Sequence, residues 1–160
     1  MQKIITYLWF DDQAEEAARY YTSIFGNSKI LSISRYPEGG PAPAGQVMNV
    51  KFQLEGQEFL ALNGGPHFPF TEAISLLVNC EGQAEVDALW DRLSEGGEPG
   101  RCGWLKDRYG LSWQIIPTAL VELIGDADPG RSQRAVQAML GMGRIDIDQL
   151  REAAGAVAAE

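Results

Sequence analysis

Histidine is nearly absent. The 160 residues contain one, His67, so no ligand set that needs two histidines from one chain can form. Cysteine is almost as scarce: Cys80 and Cys102 cannot build a disulfide framework, and two thiols kept reduced in the cytoplasm is the expected state. Basic residues are few, thirteen Lys and Arg against twenty-two Asp and Glu, for a net charge of −9. Clustered cations that could follow a phosphate backbone are missing, which argues against nucleic acid as a partner. No apolar run approaches the roughly 20 residues that span a bilayer. The short run from Met1 to Phe10 is closed by Asp11 and Asp12 with no basic region or cleavage site, so neither a membrane span nor a signal peptide is expected.

What remains is the composition of a folded domain, 45% apolar and 22% charged. The length suits one domain, or two small halves that share a core. Lys3 to Phe10 is apolar and β-rich, and Asp12 followed by Glu15 predicts a capped helix start. Ala14, Ala17, Ala18, Tyr21 and Phe25 then form one apolar stripe that Gly26 should end. Two β-like segments, 29–35 and 47–54, flank a Pro- and Gly-rich loop, 37–45, expected to border a pocket. Met48, Val50, Phe52 and Leu54 alternate with polar residues, and a Glu55-Gly56 turn leads to a further strand ending near Asn63.

The order then repeats: a strand over 72–79, a helix from Gln83 to Leu93 with Val86, Leu89, Trp90 and Leu93 as its stripe, and β-like segments over 102–106 and 111–116. Gln13-Ala14-Glu15 recurs as Gln83-Ala84-Glu85. The pattern predicts an α+β protein of paired βαβββ modules, the first over about 1–66 and the second over about 72–117. A helical tail over 118–160 follows, with Thr118 as a cap and helices over about 119–124, 131–142 and 146–153. The tail is too apolar to stand alone and is expected to pack on its own sheet or on another subunit, which points to a homodimer.

Candidate functional residues are few. His67 lies in the loop between the modules, where it has the chemistry of a base or a hydrogen-bonding group toward a ligand; a surface histidine is the plainer alternative. Tyr7, Trp9, Trp104 and Trp113 are candidates to wall a pocket or to fill the core. Asp11 and Asp12 read as structural residues at a helix start. Cys102 has no neighbour that would activate its thiol.

Four segments, YLWFDDQAEEAARYYTSIFGNSKI, FLALNGGP, FTEAISLLVNC and CGWLKDRYGLSWQIIP, resemble the PhnB-like branch of the vicinal oxygen chelate superfamily, as does AMLGMGRIDIDQL in the tail. The resemblance implies a single domain over 1–160 with a glyoxalase/bleomycin resistance-like fold, often dimeric, cupping a small molecule. Relatives of this kind often carry a demethylubiquinone methyltransferase label. The sequence has no Gly-rich loop after a strand in a Rossmann-like series, so methyl transfer is not expected.

Superfamily enzymes hold a divalent ion with His and Glu side chains from both modules. The resembling positions here are Thr6, Asn63, Ala73 or Ser75, and Gln114, none of them a histidine or a carboxylate. No metal site and no cofactor are therefore expected. Thr6, Trp9, Asn63, His67, Ser75, Trp104 and Gln114 are the candidate ligand-binding residues. The favoured function is metal-independent binding of a small molecule; the alternative is a metal-dependent lyase, isomerase or dioxygenase with non-standard ligands.

Overall fold

The computed structural model describes residues 1–155, so 156–160 of the expected tail lie outside it. The chain divides into two compact units, the first Met1–Phe70 and the second beginning at Thr71. Each carries one four-stranded mixed sheet, and among the described residues there are five helices. In unit 1 the order is β1 (Thr6–Phe10), α1 (Ala14–Ile24), β2 (Lys29–Arg35), β3 (Val47–Leu54) and β4 (Gln57–Asn63). The strands lie side by side as β1-β4-β3-β2, with β1 parallel to β4 and the other pairs antiparallel.

Alternation sets the two faces of this sheet. Leu8, Phe10, Val50, Phe52, Leu54, Phe59 and Ala61 are buried on one side, against the buried Ala14, Ala17, Ala18 and Tyr21 of α1. Tyr21 and Phe52 stack with ring centroids 6.3 Å apart. The β3–β4 hairpin closes as the sequence predicts: Glu55 (φ 48°) and Gly56 (φ 80°) occupy a two-residue turn with both φ positive, and Leu54 pairs with Gln57.

Two details of α1 differ from expectation. No Asp12 cap forms: Gln13 occupies the N-cap position without a side-chain bond, and the Ala14 N–H donates instead to Asn63 Oδ1 at 2.8 Å. The carboxylate of Asp12 is displaced because the end of β4 brings an amide oxygen to the same place. At the other end, Phe25 leaves the helix extended, and Asn27, not Gly26, takes the left-handed conformation (φ 45°).

Unit 2 repeats the order: β5 (Ser75–Cys80), α2 (Gln83–Ser94), β6 (Glu98–Pro99), β7 (Trp104–Lys106) and β8 (Ser112–Pro117), arranged β5-β8-β7-β6. The stripe Val86, Leu89, Trp90 and Leu93 is buried as read. β5 starts at Ser75 rather than near Glu72, and the short edge strand β6 carries no apolar pattern in the sequence. Cys102 is not on a strand; it sits in a turn with φ 57°, its N–H donating to Met142 C=O at 2.8 Å.

The β7–β8 connection is organised by Asp107, a carboxylate only 2% exposed. It accepts from the Tyr109 and Leu111 amides at 2.8 and 3.1 Å and from the Trp113 indole at 2.9 Å. Three N–H donors offset the cost of burying the charge.

The tail forms α3 (Thr118–Ile124), α4 (Pro129–Leu140) and α5 (Ile147–Gly155). Thr118 lies inside α3 rather than capping it, while Asp128 caps α4 by accepting from Gly130 N–H at 2.9 Å, with Pro129 at the first helical position. Of the two packings expected, the structure shows the tail on its own module: Leu120, Met142, Ile145 and Leu150 form one core with Ile116 of β8. Gln83 of α2 ties it down, its amide donating to Ile145 C=O and accepting from Ile147 N–H, at 2.9 and 2.8 Å. The fold is α+β, two βαβββ modules with a C-terminal helical extension.

Candidate functional site

In unit 1, β1 and β4 run parallel, so their C-terminal ends fall together and hand the chain to two loops at one edge. After Asn63, Gly64 N–H donates to Phe10 C=O and Gly65 N–H to Asp11 C=O, at 2.9 and 3.1 Å, which binds the Gly-Gly segment to the end of β1. Trp9 explains Gly64: a Cβ there would stand 2.3 Å from the indole Cζ2. The indole N–H donates to Gly65 C=O at 2.9 Å, and Phe68 meets the ring edge-on with centroids 4.9 Å apart. Tyr36, buried below the loop 37–45, donates its phenol to Asn63 C=O at 2.5 Å.

These groups border an open concavity of about 1020 Å³. Trp9, Tyr36, Met48 and Leu62 provide its apolar wall, Pro41 and Ala42 one lip, and His67 the opposite loop. Asp11, Asp12, Glu15 and Glu16 also line it, with Glu15 paired to Arg19 at 3.3 Å. An aromatic wall beside four carboxylates accepts a neutral or cationic molecule more readily than an anion.

The second module shows a different arrangement on the sheet face opposite the buried Trp113 and Ile115. Trp104 lies directly across from Gln114 in the β7–β8 register, and Gln114 donates its amide to Ser75 Oγ at 2.9 Å. Lys106 forms an ion pair with Glu72. The Lys106 ammonium, with help from the Glu72 backbone amide, holds that carboxyl below its ordinary range, and Glu72 raises Lys106 in return.

Of the seven candidate residues, Trp9, Asn63 and His67 border the concavity of unit 1. Asn63 already holds the protein together there, Oδ1 accepting from Ala14 N–H and Nδ2 donating one of its two hydrogens to Val47 C=O at 3.1 Å. Thr6 is not brought there: alternation along β1 places it on the side of Leu8 and Phe10, opposite Phe59 in register. Ser75 and Gln114 are engaged with each other, and Trp104 lines a smaller recess. Trp113 is core, whereas Tyr7 is half-exposed.

Sequence reasoning missed Tyr36, Met48 and Leu62 as lining residues, and assigned Asp11 and Asp12 to a helix start rather than to the wall. Only the period-2 pattern of β3 carried a signal, and it reads Met48, near the start of that strand, as one more core residue beside Val50, Phe52 and Leu54. Among the described residues no three of His, Cys, Asp and Glu converge to hold a metal ion. The hydroxyls and amides at the resembling positions are weak ligands for a transition metal, and three of the four are already hydrogen-bonded within the protein.

A family model described as 3-demethylubiquinone-9 3-methyltransferase matches residues 2–116, stopping within β8 and leaving the three tail helices outside it. The chain is 43% identical to a PhnB protein of Bacillus cereus, over 72% of this chain and 99% of that one, with a TM-score of 0.65. Protein PA1353 of Pseudomonas aeruginosa shares the fold at 21% identity, over 73% of this chain and 98% of its own, with a TM-score of 0.60. A glyoxylase/bleomycin resistance protein/dioxygenase domain from Frankia sp. EAN1pec aligns at 18% identity over 73% of this chain and 92% of its own, with a TM-score of 0.47. No curated protein sequence matches the chain. The match over 2–116, and the identity to the B. cereus protein along nearly its whole length, show that the chain belongs to the family described as 3-demethylubiquinone-9 3-methyltransferase.

Proposed function

We propose that the protein binds a small organic molecule in the concavity of its first module, and does so without a resident metal ion. The observation that carries this reading is the concavity itself. Its volume of about 1020 Å³ is large enough for a small organic molecule, and its lining joins the aromatic and aliphatic side chains of Trp9, Tyr36, Met48 and Leu62 to a polar half that includes four carboxylates. The acidic rim favours a ligand that is uncharged or positively charged, with a flat or apolar part for Trp9 and Tyr36.

Methyl transfer, the activity in the family's description, is not part of the proposal. The described residues form two four-stranded mixed sheets, not the doubly wound parallel sheet with a Gly-rich first turn that commonly holds a nucleotide-type donor. Assembly as a homodimer in the cytoplasm completes the reading. Supporting it are large apolar side chains left exposed in each module, Ile4 and Tyr7 in the first, Ile74 and Leu77 in the second, and two free thiols. No helix among the described residues is long and apolar enough to cross a membrane.

A fragment library screened by ligand-observed NMR in the presence of EDTA tests the proposal. The expected result is a set of uncharged or cationic aromatic hits that Trp9→Ala abolishes while its circular dichroism matches wild type. Hits that appear only when a divalent ion replaces the chelator would instead make the protein a metal-dependent lyase, isomerase or dioxygenase.

A further inference from the structure

In each module the parallel strands finish on one last pair, Phe10 with Asn63 and Cys80 with Pro117, so Leu62 before the first matches Ile116 before the second. Buried positions of equal spacing, Ala14, Ala17, Ala18, Tyr21 and Val86, Leu89, Trp90, Leu93, align α1 with α2 and make Glu15 the counterpart of Asp87. Leu62 and Glu15 line the open concavity of the first module. Their counterparts in the second are covered by the tail segment 142–147. Met142 and Ile145 pack with Ile116, and the Arg144 guanidinium lies 3.3 Å from Asp87 Oδ1 and 3.9 Å from Asp91 Oδ1. Backbone bonds seat the segment: Cys102 and Gly103 N–H donate to Met142 and Gly143 C=O at 2.8 and 2.9 Å, and Gln83 at the start of α2 holds Ile145 and Ile147. An apolar body carrying a guanidinium therefore occupies, in the second module, the counterpart of the concavity in the first.

We propose that the first-module concavity binds an organic cation, a guanidinium or ammonium group on an apolar or aromatic body. This names the ligand class of the site proposed above and rests on that reading. Asp11, Asp12, Glu15 and Glu16 bring four carboxylates to the lining, which includes no lysine or arginine. Arg19 answers one of them from outside it, through the Glu15 pair, and that leaves the rim anionic. Hydrogen bonds from a charged donor to a carboxylate are roughly twice as strong as neutral ones, so the lining favours a cation over its uncharged isostere. Trp9 and Tyr36 add aromatic surface, which attracts a cation over a ring face. A bare divalent ion gains less, since no three carboxylates converge among the described residues and an ion makes no use of the apolar wall.

Titration of the full chain in EDTA with matched probes tests the proposal: benzylamine and phenylguanidine as cations, benzyl alcohol and phenylurea as their uncharged isosteres, and benzoate as an anion. The expected result is that at least one cation binds about tenfold or more tighter than its isostere, with benzoate weakest. The preference should shrink as NaCl is raised, because the carboxylates are open to solvent. Asp12→Asn combined with Glu15→Gln should remove most of it while the uncharged probes bind as they do to wild type, which shows that the variant is folded. Uncharged probes that bind as tightly as the cations and depend on Trp9 would overturn the ligand class and leave the small-molecule reading standing. A cation preference that survives the double variant would place the cation away from these carboxylates and also overturn the proposal. If no probe and no library fragment of any charge binds in a Trp9-dependent way, the reading of the concavity fails and this proposal fails with it.

Discussion

Asn63→Ala separates a structural amide from a ligand-binding one. In the structure its side chain makes two bonds, accepting from Ala14 N–H at 2.8 Å and donating to Val47 C=O at 3.1 Å. The first satisfies an orphan donor at the start of α1, a service worth about 0.5–2 kcal/mol when a cap supplies it. The second is an ordinary internal hydrogen bond, worth about 0.5–1.5 kcal/mol net. Together they predict a loss of about 1–3.5 kcal/mol, or a fall in Tm of roughly 2–14 °C at the 2–4 °C per kcal/mol typical of this chain length. Asn63→Asp keeps the acceptor for Ala14 but turns a carboxylate toward the Val47 carbonyl and toward the four carboxylates of the concavity, so it should also lower the midpoint. Guanidinium unfolding of both variants at neutral pH measures this. If Asn63→Ala leaves the midpoint unchanged while erasing fragment binding, the amide serves a ligand and the reasoning fails.

Three further outcomes follow from the same geometry. Asp107→Asn removes at least one of three bonds to a buried carboxylate and sets an NH₂ group against an N–H donor, so unfolding in urea should show a loss of about 2–4 kcal/mol with fragment binding retained by the folded protein. Gly64→Ala places a Cβ within the Trp9 ring and should cost about 1–3 kcal/mol, with a shift in tryptophan emission; unchanged emission would mean that the ring does not rest on Gly64. Burial, and secondarily the charge of Glu85, push the Cys80 thiol from 9.0 to about 12. The unfolded chain therefore releases this proton first, and the Cys80 contribution to stability falls as pH rises from 9.0 toward 12. Ellman's reagent at pH 8 should leave Cys80 unmodified until the protein is unfolded.

Much of the architecture was legible because period and burial coincide. The stripes Ala14, Ala17, Ala18, Tyr21 and Val86, Leu89, Trp90, Leu93 each bury one helix face, and the Glu55-Gly56 turn announces its hairpin. What sequence could not show were bonds between distant residues. Asn63 displaces Asp12 at the start of α1 from 49 positions away. Asp107 looks like one more surface acid until Trp113 folds back on it. The candidate site was only partly readable for the same reason. A one-residue register decides that Trp9 faces the concavity and Thr6 does not, and positions taken from a resemblance are less exact than that.

The central claim is metal-independent binding in the first module, and the most direct measurement is the affinity of one fragment hit for untagged protein, titrated in EDTA and again with Mn, Fe, Ni or Zn ions. The account predicts the same Kd in each series, loss of binding in Trp9→Ala, and no rise in Tm on adding any of the ions. Binding that requires one ion, accompanied by a clear rise in Tm with that ion alone, would contradict it.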